Sequence, residues 1–392
     1  MVLSEPKLSE KFQSISLKLN EPLAGEITII ASLSLEINYG DIIEARGEIK
    51  VGNSEVENPV SFFPEIKIVS RSKGFWLKEK LLGVKKAVVS EFKSLLPRDS
   101  AALLSGLTLG WRGNFTDDLK KDMSMSGTTH LVALSGYNIT ILVLVVAGTF
   151  GYFLPRRTTF WLTTAIIILF ILMVGGEASV VRAAIMGFIA LLAKEAGRKY
   201  SVRNAIALTA ATMILADPRA IFDVGFQLSF LSLIGIVYLA PPISNFLRME
   251  EEAESFLSWK ENAVTTLSAQ LMVAPILIHT FGNFSLTSIA ANILILEFVP
   301  VTMLLGFALA AVSYFLHYAG FIISFFENVF LQYELAVIRF FANFNMPVLN
   351  ELNSSLFFVF YYLALAAFLF YRSKSKLTEI RASGHGARYN HH

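Results

Sequence analysis

The feature that most constrains this chain is a succession of apolar runs that begins near residue 131 and recurs to residue 371. A helix needs about 20 predominantly apolar residues to cross the hydrocarbon core of a bilayer. Nine stretches approach or reach that length: 131–153, 159–176, 180–196, 204–216, 221–240, 263–281, 286–314, 318–342 and 354–371. Charged residues make up 16% of the 392, against about 25% in an ordinary soluble protein. The sequence therefore predicts a polytopic α-helical membrane protein with about nine helical segments. Two of them, 180–196 and 204–216, are short and read as tilted, broken or re-entrant. Such backbone is tolerated in a membrane only where protein or water covers it, and transport sites tend to lie there.

The first 75 residues have a different character. Period-two stretches at Ser14 to Leu19, Ile27 to Ile37, Ile42 to Val51 and Glu65 to Val69 alternate with turn signals at Asn38 to Asp41, Gly52-Asn53 and Asn58-Pro59. They predict a small β barrel or sandwich over 1–75. Residues 76–98 follow as an amphipathic helix with Leu77, Leu81, Val84, Val88, Phe92 and Leu95 on one face. Lys78, Lys80, Lys85, Lys86 and Lys93 lie around the other side. Two placements fit: a helix packed on its own protein, or one lying in the membrane interface with lysines at the headgroups. The membrane region is expected over 99–372, with a polar tail at 373–392.

Net charge is +2, so no global basic field advertises a nucleic-acid partner. There are no cysteines and six histidines, without the spacing of a metal site. Ser135 sits in Ser-Gly-Tyr rather than in a nucleophile elbow, and no nucleotide-binding glycine loop occurs. No catalytic residue, metal or cofactor is assigned. Lysine and arginine cluster at Arg156-Arg157, at Lys194 to Arg203 and at Arg372 to Arg381. If the spans alternate, these clusters share one side, which the positive-inside rule makes cytoplasmic. The acidic loop with Glu250, Glu251, Glu252 and Glu254 falls there too, and acidic residues contribute little to the rule. The β domain is then expected outside and the C-terminus inside. No export signal precedes the β domain, so either the orientation is inverted or, as expected here, further membrane helices lie upstream of Met1.

Polar residues interrupt the apolar runs at particular places. Gly127 to Asn138 reads GTTHLVALSGYN, and places His130, Ser135, Gly136 and Asn138 at a membrane edge, where Ser-Gly allows close approach of a neighbour. Glu177 and Arg182 stand five apart at a helix start, with Arg112, Asp217 and Asp223 as further partners in charge. In Asp217 to Gln227, DPRAIFDVGFQ, Pro218 ends one helix, Asp223 is placed to cap the next, and Gln227 enters the membrane. Gln270, Pro275, His279, Asn292 and Glu297 repeat the theme. Each has an ordinary reading in packing or capping; together they imply a shared wet interior.

These strings, in this order, resemble the ComEC family of competence proteins. The family's GLxLGxR-like segment stands here as GLTLGWR at Gly106 to Arg112, and its HLLAISGLH-like segment as HLVALSGYN at His130 to Asn138. An RAxxM element matches Arg182 to Met186, and DPxxxFDxGFQLSFL is nearly intact at Asp217 to Leu231. The pattern QL…AP…GxxSL…AN matches Gln270 to Asn292. The resemblance is strong over about 95–300. It implies an oligonucleotide/oligosaccharide-binding (OB)-like character for the β domain, and passage of single-stranded DNA across the bacterial inner membrane during transformation. Tyr137 and Asn138 replace the usual Leu-His, and neither the initial membrane helices nor the metallo-β-lactamase-like nuclease domain of many members lies within this sequence. On the resemblance, Arg112, Arg182 and Arg219 would meet phosphates, and Trp111 and Tyr137, with Phe222 and Phe226, would stack bases. Glu177, Asp217, Asp223 and Gln227 would shape the path. Partners implied are membrane lipids, a separate nuclease, a DNA receptor and a cytosolic motor. A small-molecule or lipid transporter with a polar intramembrane cavity is the rival reading.

Overall fold

A computed structural model describes residues 1–8, 12–19, 25–50, 59–113, 115–246, 259–281, 287–344 and 359–367. The acidic loop, the 282–286 part of the last family motif, the turn at Gly52-Asn53 and the tail at 373–392 lie outside the described residues. The chain divides into two compact units, Met1–Tyr200 with Phe298–Asn343, and Ser201–Glu297 with Phe344–His392.

The first unit opens with the β region. Strands β1 (Lys7–Leu8), β2 (Gln13–Lys18), β3 (Glu26–Ala31) and β5 (Val60–Phe62) form one sheet in the order β1-β2-β3-β5, and β4 (Ile42–Arg46) pairs with β6 (Glu65–Ser70) in a second. β2 and β3 are antiparallel, while β3 and β5 run parallel in the register Thr28↔Val60. Alternation buries Ile15 and Leu17 of β2 against Ile27, Ile29 and Ala31 of β3, with Val2 and Ile37. Gln13 is buried among them because its amide nitrogen donates to the Ser32 and Leu35 carbonyls at 2.7 and 2.6 Å. Asp41 closes the turn before β4 by accepting from the Asn38 and Ser72 backbone N–H groups.

Helix α1 (Trp76–Leu95) buries Leu82, Lys85, Val89 and Phe92. Three of its lysines reach into the β region: Lys85 Nζ lies 2.9 Å from Glu5 Oε2, Lys86 bonds Asn38 Oδ1, and Lys78 bonds the Leu3 carbonyl and covers the Tyr39 ring. Next comes α2 (Arg98–Leu109), buried on every side from Ser100 to Leu109. Its hydroxyls at Ser105 and Thr108 are satisfied within the helix, by the Ala101 and Leu104 carbonyls. Gly110 ends it in the left-handed region at φ +64, the conformation glycine adopts without a Cβ clash. Short α3 (Asp117–Met125), capped by Thr116, leads to α4 (Gly136–Phe153), α5 (Arg156–Val174) and α6 (Ala178–Glu195), which pack on one another.

The second unit holds α7 (Val202–Ala216), a 3-10 turn at Pro218–Phe222, α8 (Val224–Tyr238), α9 (Ala240–Phe246), α10 (Trp259–Phe281), α11 (Thr287–Leu296) and a helical segment at 359–367. α8 lies so close on α10 that a Cβ built on Gly235 would stand 2.5 Å from the Ser268 carbonyl oxygen. The chain returns to the first unit with α12 (Val299–Phe315) and α13 (His317–Ala342). Those two pair with each other and with α2.

Every apolar interval in the sequence contains a helix, the last of them described only at 359–367. Among the described residues four helices are long and apolar enough to cross a membrane by themselves, and up to six spans result if each of two interrupted pairs counts as one. Their polarity is reversed relative to a soluble helix. On α13 the exposed side chains include Phe321, Ile322, Phe325, Phe326 and Val329, while Ser324, Glu327 and Glu334 are buried. Apolar side chains outward and polar side chains inward are what a lipid solvent selects.

Candidate functional site

The residues singled out by the sequence gather at four places, two in each unit. The first is the start of α4. Ser135 caps that helix: its hydroxyl accepts from Asn138 N–H at 3.4 Å and donates to Asn138 Oδ1 at 3.0 Å. Asn138 is 4% exposed, and its amide nitrogen donates 3.0 Å to the Leu107 carbonyl of α2. One polar side chain thus ties the GLTLGWR helix to the helix opened by HLVALSGYN. Ser179 of α6 donates 2.8 Å to the Leu134 carbonyl, which adds a third helix. Gly136 permits the fourth contact, because the guanidinium of Arg182 occupies the space a Cβ there would take. Arg182 is itself buried. Ser135, Gly136, Asn138 and Arg182 therefore form one cluster. His130, whose Nδ1 lies 3.1 Å from the Gly127 carbonyl oxygen, and Tyr137 are exposed beside it, and Glu177 is exposed at the N-cap of α6.

The second place is the turn after α2. Trp111 stands with Lys85 Nζ 5.4 Å from its ring centroid, next to the Lys85–Glu5 pair, and its indole N–H has no hydrogen-bond partner among the described residues. Arg112 follows it and is exposed.

In the second unit Asp217, Arg219, Asp223 and Gln227 surround the 3-10 turn. Asp217 Oδ1 accepts from Arg219 N–H at 3.0 Å, and Asp223 Oδ1 caps α8 by accepting from Phe226 N–H at 2.7 Å. Gln227 donates to the Ile221 carbonyl at 3.0 Å. Both carboxylates are spent on backbone, and the Arg219 side chain is exposed. The fourth place is the α10–α11 contact. Gln270 Nε2 donates 2.8 Å to Ser288 Oγ, and Asn292, 2% exposed, lies one turn beyond Ser288 on the same helix. Gln270 Oε1 and Asn292 Oδ1 are buried acceptors without a hydrogen-bond partner among the described residues. Asn262 and Glu297 are bonded in the same unit.

Sequence reasoning passed over the polar face of α13. Glu327 and Glu334 are fully buried, Glu334 bonded to Thr302 of α12. Ser100 of α2 donates to Asn328 and accepts from Gln332, and Asp99 pairs with Arg339 at 2.5 Å. The signal was present: Ser324, Glu327, Leu331, Glu334 and Ile338 recur at three- and four-residue steps along one stripe, with two carboxylates in an apolar run. Among the described residues no group of three or more histidine, cysteine, aspartate or glutamate side chains is placed to hold a metal.

Membrane-compatible helices whose buried faces carry amides, hydroxyls and an arginine define a polytopic membrane protein with polar seams inside its helix packing. The chain belongs to the competence protein family, whose model matches residues 107–376. It is similar to ComE operon protein 3 of Bacillus subtilis (strain 168), at 30% identity over 58% of this chain and 28% of that protein. It is also similar to the uncharacterized protein YcaI of Escherichia coli (strain K12), at 26% identity over 54% of this chain and 29% of that protein. The chain thus spans less than a third of the length of these relatives. No solved structure matches it.

Proposed function

We propose that this chain is the transmembrane channel through which single-stranded DNA crosses the bacterial inner membrane during natural transformation. Family membership over 107–376 carries the reading. The buried Asn138–Ser135–Arg182 cluster supports it, because it places a guanidinium where the helices of the family motifs converge. A single strand is held by cations that track its backbone and by aromatic rings that stack its bases. In this reading Arg182, with exposed Arg112 and Arg219, guides phosphates, and Trp111 and exposed Tyr137 offer rings. The β region is an OB-like module on the outer side, the C-terminus is cytoplasmic, and the nine apolar intervals all contribute to the membrane region. The chain itself performs no catalysis here; a nuclease, a DNA receptor and a cytosolic motor act beside it.

The test is uptake of labelled DNA by cells in which the chain is deleted and then restored as wild type or as Arg182→Gln. Loss on deletion, rescue by wild type and failure of a normally folded Arg182→Gln protein are expected. Normal uptake after deletion overturns the reading and promotes a small-molecule or lipid transporter, for which the unpartnered amide oxygens of Gln270 and Asn292 would be the solute contacts.

A further inference from the structure

One end of the four-stranded sheet is apolar where it is exposed. The strand registers define that end: Leu8 of β1 stands opposite Gln13 of β2, Gln13 opposite Ala31 of β3, and Phe62 of β5 beside Ile30. Phe12 immediately precedes β2, Leu33 follows β3 by two residues, and Phe62 and Phe63 close β5; all four side chains are exposed. The opposite end of β2 and β3 pairs Lys18 with Glu26, two exposed charges.

Phe63 is held outward against its own backbone preference. Its φ is +47, in the left-handed region that a bulky residue avoids. Two contacts impose it. The Phe63 N–H donates to the Ile30 carbonyl at 2.7 Å, and Pro64 packs so closely on Gly47 that a Cβ there would lie 2.9 Å from the proline Cβ. The ring this strain presents is 63% exposed. Strain kept in place by its surroundings, at a side chain that packs on little of its own protein, points to a function for that side chain.

The contacts of the first unit show what this end faces. A Cβ on Gly110, at the end of α2, would lie 2.7 Å from Leu134, two residues before α4 begins. α4 belongs to a helix long and apolar enough to cross a membrane. Its 18 residues extend about 27 Å, against about 30 Å for a hydrocarbon core. Its opening turn, and the end of α2 with it, therefore stands at a hydrocarbon boundary. Three residues past Gly110, a Cβ on Gly113 would lie 3.0 Å from the Leu8 Cβ. The N-terminal segment approaches that boundary in steps: Lys78 bonds Leu3, Lys85 pairs with Glu5, and Leu8 touches Gly113. The Leu8 end of the sheet is thus the end nearest the boundary, and β5 stands three strand spacings away in the same row, about 14 Å.

We propose that this end of the β region is a lipid-docking edge, with Phe12, Leu33, Phe62 and Phe63 entering the headgroup–acyl boundary of the bilayer that α4 crosses. The bilayer is the occupant because the edge continues the membrane boundary marked by α2 and α4, and because of the charges beside it. Exposed Lys7, Lys50 and Arg112 are interspersed with exposed Glu48 and Glu65. That mixture is not the positive groove a single strand follows, whereas apolar side chains enter the boundary by burial alone. Lys50, whose ammonium lies 5.7 Å from the Phe62 ring centroid, then reaches headgroup phosphates from beside the ring. Lipid becomes a third support of the β region, after α1 and the turn that follows α2. The inference rests on the chain being a membrane protein and needs no nucleic acid, so it and the DNA reading fail separately.

The test exploits a chain without cysteine. Phe63→Cys and Leu33→Cys, with Glu26→Cys at the charged end as reference, each place one nitroxide label at an exposed position. The whole chain is reconstituted in phosphatidylcholine vesicles. Spin-relaxation measurements compare collisions with oxygen, which concentrates in lipid, and with a water-soluble nickel chelate. The oxygen-to-nickel ratio is expected to be several-fold higher at 63 and 33 than at 26. A ratio at 63 no higher than at 26 overturns the proposal, and so does a ratio equally high at 26, which would deny that one end is selected. A label at 63 that meets the chelate in vesicles, and is shielded when a single-stranded oligonucleotide is added, also overturns it and makes the edge a nucleic-acid surface.

Discussion

Asn138 uses one side chain for two jobs. Its carbonyl oxygen takes the Ser135 hydroxyl proton and its amide nitrogen satisfies the Leu107 carbonyl in a buried site. Asn138→Leu keeps the volume roughly constant and leaves both partners unsatisfied, which costs about 1–3 kcal/mol for a buried group. Ser135→Ala removes the cap, worth about 1 kcal/mol, together with the donor to Asn138 Oδ1, but leaves the Asn138–Leu107 bond between α4 and α2 in place. Thermal unfolding in detergent should therefore rank Asn138→Leu below Ser135→Ala, and the reverse order would show that the α2–α4 tie is not what Asn138 contributes. The cluster was partly legible in the sequence, because an amide and a Ser-Gly pair in an apolar run ask for a close neighbour. That the neighbour would be Arg182, forty-odd residues away, was not, since nothing local encodes the crossing of α4 and α6. Glu327 and Glu334 show the opposite case: their seven-residue spacing was readable, but a test for apolar length treats a carboxylate only as a subtraction from hydropathy.

Among the elements, α10 keeps its length across Pro275 by borrowing a donor. Proline has no N–H to give to the carbonyl four residues earlier, which is Leu271, and the hydroxyl of Tyr361 donates to that oxygen at 2.6 Å. Tyr362 likewise donates to the Met272 carbonyl at 3.1 Å. Tyr361→Phe should lower stability by about 1 kcal/mol, and Pro275→Ala should make the protein insensitive to that change, because the restored N–H replaces the hydroxyl. Equal losses in both backgrounds would sink this account. The α8–α10 contact gives a second test. Gly235→Ala forces a methyl against the Ser268 carbonyl, and overpacking of backbone costs about 1–3 kcal/mol, read as a lower melting temperature. The helices themselves were written in the apolar runs; their breaks were not. The interval 286–314 reads as one run, yet α11 ends at Leu296 and α12 starts at Val299 with Pro300 in its first turn. Pro241-Pro242 similarly sit at the start of α9, just beyond the end of α8. Proline is at home in a first turn, so hydropathy continues where hydrogen bonding does not.

For the first unit as a whole, the question is what holds a small β region on the lysine-rich helix α1. The lysines of α1 suit anionic headgroups equally well when seen in sequence, and only the fold shows three of them directed into the β region. The Lys85–Glu5 pair matters most, because its side chains are 5% and 16% exposed and Trp111 covers the ammonium. Removing one partner of a buried pair strands the other charge, at about 3–5 kcal/mol, whereas replacing both with apolar groups of similar size is often neutral. Lys85→Met should therefore loosen the β region, read as faster proteolysis before Trp76 and earlier amide exchange in β2 and β3. Glu5→Leu combined with Lys85→Met should restore protection close to wild type. If the double variant is cleaved as fast as Lys85→Met, the pair orients the β region instead of merely tolerating burial. In that event the Lys86–Asn38 and Lys78–Leu3 bonds cannot hold it alone, and salt should speed cleavage of the wild type only weakly, because a buried pair is poorly screened.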